Sequence, residues 1–70
     1  MKYVTLKVEG MHGDHCILKV ANAIAIVKGV EIGKIDLVKK EVVVIGEAET
    51  IEVIKVIENA GYYVSLTKFN

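Results

Sequence analysis

Seventy residues allow one domain and no more, since domains run to about 100–200 residues. Hydrophobic residues make up 53% of the chain, with 12 Val and 9 Ile among them, which excludes a disordered segment and favours strands. Nine Lys balance nine acidic side chains and there is no Arg, a poor pattern for gripping a phosphate backbone. The longest unbroken apolar run, Ala23 to Val27, is five residues, against the ~20 that span a bilayer. Met1 to Thr5 alternates like a strand and offers no apolar leader core. These features predict a soluble, cytoplasmic domain over residues 1–70. The single Cys rules out an internal disulfide, so packing alone must hold the fold.

Lys2 to Val8 alternates, with Val4, Leu6 and Val8 on one side, and reads as a half-buried strand. Glu9 to Asp14 contains Gly10 and Gly13 and reads as a loop. A helix opens at Asp14 or His15 and runs to about Val27. Cys16, Ile17, Val20, Ala23, Ile24 and Val27 fall on its inner side, and Gly29 is its capping glycine. Val30 to Leu37 is a second strand, with Val30, Ile35 and Leu37 predicted inward. Lys39-Lys40 marks a tight turn. Glu41 to Ile45 is a third strand, which Gly46 breaks. The helical period returns from Glu49 or Thr50 to Ala60, with Val53, Val56, Ile57 and Ala60 on one face, Thr50 as N-cap and Gly61 as C-terminal cap. Tyr62 to Lys68 alternates again, with Tyr62, Val64 and Leu66 predicted inward. The order βαββαβ predicts an α+β, two-layer sandwich: an antiparallel four-stranded sheet with both helices on one face.

The first loop concentrates the chemistry. Gly10-Met11-His12-Gly13-Asp14-His15-Cys16 places four potential metal ligands, His12, Asp14, His15 and Cys16, within five positions. Cys16 falls in the first turn of the helix, where the helix dipole and free amides favour a thiolate. A thiolate is the form that binds soft ions such as Cu(I).

At this loop the chain resembles the heavy-metal-associated domain family, the ferredoxin-like module of copper chaperones and of the N-terminal arms of metal-pumping P-type ATPases. The family loop reads Gly-Met-x-Cys-x-x-Cys, and Gly10, Met11, His15 and Cys16 match it in place. Val20, Ala23 and Ile24 match the following helix. Gly29-Val30, Asp36-Leu37 and Val42-Val43-Val44 match the middle strands. Ile57-Glu58-Asn59-Ala60-Gly61-Tyr62 is similar to the family's Ile-Glu-x-Ala-Gly-Tyr. The resemblance implies a metal-binding, metallochaperone-like module that is not an enzyme. It makes Met11 a core anchor of the loop and sets Tyr62 beside it. The chain departs from the pattern at Gly13, where the family has its first Cys. One thiolate therefore stands where the family uses two.

Three routes to a metal site remain open. Cys16 could pair with His12 or His15 in the same chain, although neighbouring positions on a helix diverge by about 100°. Two chains, or this chain and a metal-transporting ATPase, could share one Cu(I) between cysteines. The first helix suits such docking, because Leu18, Ala25 and Ile26 lie on its outer side with Lys19 and Asn22. Finally, His12, Asp14, His15 and Cys16 are residue types that suit Zn(II). A second reading is of another class: a degenerate domain that binds no metal and serves as a protein-interaction or assembly module.

Other functions of this element order fail on residue type. RNA recognition needs stacking aromatics on the central strands, and Glu41 to Ile45 has none. The phosphate site of acylphosphatases needs an Arg. Gly10 and Gly13 have no Lys-Ser/Thr sequel, so the loop is not a phosphate loop. A Cys–His nucleophilic pair lacks an orienting third group. No nucleic acid or membrane partner is expected.

Overall fold

A computed structural model of the chain describes residues 3–69. Six elements follow one another: β1 (Tyr3–Glu9), α1 (Asp14–Ala25), β2 (Val30–Asp36), β3 (Glu41–Gly46), α2 (Thr50–Asn59) and β4 (Tyr63–Phe69). The strands form one antiparallel sheet in the order β2-β3-β1-β4. The expected βαββαβ sandwich is the fold observed. Lys2, expected to begin the first strand, lies outside the described residues.

The core forms where the apolar phase of each element meets the others. Val4, Leu6 and Val8 of β1 and Val42 and Val44 of β3 supply the sheet side. Val20 and Ile24 of α1 and Val53 and Ile57 of α2 supply the helix side. Burying each such side chain stabilises by about 1.5–3 kcal/mol, which is how a chain without disulfides holds together. Because α1 packs over β2 and beside α2, and α2 packs over β4, the start of α1 and the end of α2 meet at one end of the sheet.

Two bulges alter the strand reading. Between Val8 and Lys7 of β1, the paired residues on β4 jump from Val64 to Leu66, leaving Ser65 as an extra residue. The side-chain alternation reverses there. Leu66, expected inward, instead pairs with Lys7 and is 56% exposed, while Thr67 takes the inward phase opposite Leu6. A second bulge at Gly33 does the same on β2. It lets Val30 and Ile32 on one side of the bulge, and Ile35 and Leu37 on the other, all pack against the core.

The helix ends also differ in detail. The α-helical run of α1 stops at Ala25, two residues short of Val27. The Ile26 and Val27 amides bond the Ala23 and Ile24 carbonyls, a tightened 3₁₀-like turn. Glu49, not Thr50, is the N-cap residue of α2, and Thr50 is its first helical residue. At the other end of α2, Gly61 behaves as predicted. Its φ of 101 lets its amide reach the Glu58 carbonyl and the Tyr62 amide reach that of Ile57, which satisfies the last carbonyls and turns the chain toward the loop.

The β2–β3 turn is fixed by Asp36. One carboxylate oxygen accepts from the Val38 amide at 3.0 Å and the Lys39 amide at 3.1 Å. These amides, Lys39 first, hold the carboxyl below its ordinary pKa, with the Lys34 and Lys39 charges adding to the effect. Lys40 follows in the left-handed region at φ 58, with its ammonium 3.6 Å from Glu9.

Two outcomes are expected. A left-handed non-glycine residue costs about 1–2 kcal/mol, and Lys40→Gly and Lys40→Ala both lose the Glu9 pair. In urea denaturation the Gly variant should therefore be about 1 kcal/mol more stable than the Ala variant. Equal midpoints would show that the turn carries no strain. Because the folded state depresses the Asp36 pKa, the stability this adds is full above the ordinary carboxylate range and is lost as pH falls through the lowered value. Asp36→Asn should narrow the stability difference between neutral pH and about pH 2. An unchanged pH profile would contradict the role given to the carboxylate.

Candidate metal centre

The loop between β1 and α1 is anchored by what it buries. Met11 is 3% exposed and joins the core cluster, as the family resemblance implied. That anchor fixes the loop between Gly10 and the helix start while leaving the residues around it at the surface. Gly13 is the N-cap of α1, and its carbonyl accepts from the Cys16 and Ile17 amides, both at 3.1 Å.

Cys16 sits one turn into the helix, partly buried against the core cluster and partly open to solvent. Its protonated sulfur faces the Gly10 carbonyl at 3.9 Å. When ionised, it instead accepts from donors around it. The largest influence is the Tyr62 hydroxyl, which donates to the sulfur and lowers its pKa. The His12 amide acts in the same direction, partial burial opposes it, and the Gly13 amide and the Lys19 charge add lesser lowering effects. The same contact raises the Tyr62 pKa, since ionising the phenol would forfeit the hydrogen bond and set two negative charges together. Sequence reasoning credited the helix start. The hydroxyl at the far end of α2 was missed as the leading cause, although Tyr62 was expected beside the loop.

Gly10 lies beside the Tyr62 ring. At φ 100 it adopts a backbone that side chains rarely tolerate. A Cβ there would stand 3.4 Å from the ring, an ordinary contact, so the backbone angle and not crowding calls for glycine. Gly13 is a different case. Its φ of 169 is ordinary extended backbone, and a Cβ there would meet no atom within 4 Å. Neither strain nor crowding requires glycine at position 13.

The other predicted ligands do not converge. His12, Asp14 and His15 are all exposed. Among the described residues, no three His, Cys, Asp or Glu side chains group so as to hold an ion. The four-residue Zn(II) arrangement from one chain is therefore not brought together. Along α1 and just past its end, Leu18 at 61%, Ala25 and Ile26 at 77% stand exposed, Leu18 near the loop and the other two at the far end of the helix. Among the described residues, no helix is long and apolar enough to cross a membrane.

A ferredoxin-like sandwich with a thiol in the first turn of its first helix, beside the preceding loop, defines a class of metal-handling domain, and the comparisons with known proteins agree. The model of the heavy-metal-associated domain matches residues 5–63, and the chain belongs to that family. Among solved structures, the CopZ metallochaperone superposes with a TM-score of 0.85 at 29% identity, over 90% of this chain and 98% of that one. The yeast copper transporter domain Ccc2a, solved in apo and Cu(I)-loaded states, gives 0.81 at 26%, over 90% of each chain. The N-terminal domain of PacS from Synechocystis PCC6803 gives 0.78 at 25%, over 90% and 92%. Comparison with the curated proteins returns no match.

The geometry predicts that Cys16 reacts as a thiolate below the ordinary thiol range. The pH midpoint of its alkylation rate should lie below that of a free thiol and move up in Tyr62→Phe, which keeps the ring and removes the donor. An unmoved midpoint in that variant would remove the hydroxyl from the account.

Proposed function

We propose that this chain is a carrier of a soft ion, Cu(I), taken as cargo on the Cys16 thiolate, with the second donor supplied by another chain. The observation that carries this reading is the surrounding of Cys16. A hydroxyl and loop amides stabilise its negative charge, while the residue stays partly exposed. Soft thiolates select Cu(I) over hard cations. The neighbouring imidazoles are weaker candidates as ligands. His12 and His15 stand exposed, and no donor cluster forms around them among the described residues. Zn(II), which needs four donors, is served less well by one thiolate.

In this reading the module is not an enzyme. It binds an ion and passes it on, each incoming thiolate displacing an outgoing one. The partner is a second copy of the chain or a metal-transporting ATPase, meeting the first loop and α1, where Leu18 offers apolar contact near the sulfur and Ala25 and Ile26 extend it toward the far end of the helix. The setting expected is the cytoplasm, where thiols stay reduced. The same exposed helix face supports the second reading, an interaction module that has lost its metal with the second thiol.

Titration of the reduced protein with Cu(I) against a competing chelator separates the two. Wild type should outcompete Cys16→Ser clearly. Equal, poor competition by both would favour the interaction module. Gly13→Cys should strengthen Cu(I) retention by orders of magnitude, because the position accepts a side chain without strain or clash. An affinity unchanged by that substitution would mean that positions 13 and 16 do not face one ion.

A further inference from the structure

We draw no further inference here: the strongest candidate, the open face of the sheet where Tyr3, Ile45, Tyr63 and Leu66 stand exposed, carries nothing because nothing in the structure shows what covers it.

Discussion

The Tyr62 hydroxyl, the largest influence lowering the Cys16 pKa, links the segment after α2 to the start of α1. The ring of Tyr62 is buried and counts among the core residues, so its hydroxyl is not free to wander. It donates to the sulfur, and the ring packs beside Gly10. A donor held this way needs no reorganisation when the thiol ionises, and the charge is stabilised by groups already in place. The fold thus does two things at one site. It packs an aromatic residue against a loop, and it lowers the pKa of the thiol at the start of α1.

Several features that look merely structural serve that placement. The capping turn at Gly61 directs the chain from α2 into Tyr62, and Met11 pins the loop on the other side. Gly10, at φ 100, holds a backbone conformation that calls for glycine. Gly13, by contrast, is under no such demand. The same loop therefore contains one glycine that the geometry needs and one that it merely tolerates. A site with one thiolate and open space beside it is suited to sharing an ion with an outside donor rather than enclosing it.

Much of this was legible in the sequence, because the apolar period of β1, β3 and both helices is regular and the glycines fall near their ends. Val4, Leu6 and Val8 alternate without interruption, and Val53 and Ile57 lie a helical turn apart; both sets are buried as expected. Leu66 was misread because one unpaired residue, Ser65, reverses the side-chain phase of β4, and a bulge is a property of two strands, not of one. Ile32 went unnoticed for the same reason at Gly33. At the site, Cys16 announced itself through its place at a helix start. The imidazoles of His12 and His15 were suggestive by type, but residue type does not say where a side chain points. The part played by the Tyr62 hydroxyl could not be read from the loop alone, since it depends on how α2 ends.

The central claim is that Cys16 holds an ion by sharing it with a donor from outside the chain. X-ray absorption at the copper edge, on reduced protein loaded with Cu(I) and without small thiols, counts the donors directly, and native mass spectrometry of the same sample gives the number of chains per ion. The account predicts a sulfur-only shell of two donors and one ion per two chains. One sulfur with imidazole nitrogens, in a species of one chain and one ion, would contradict it.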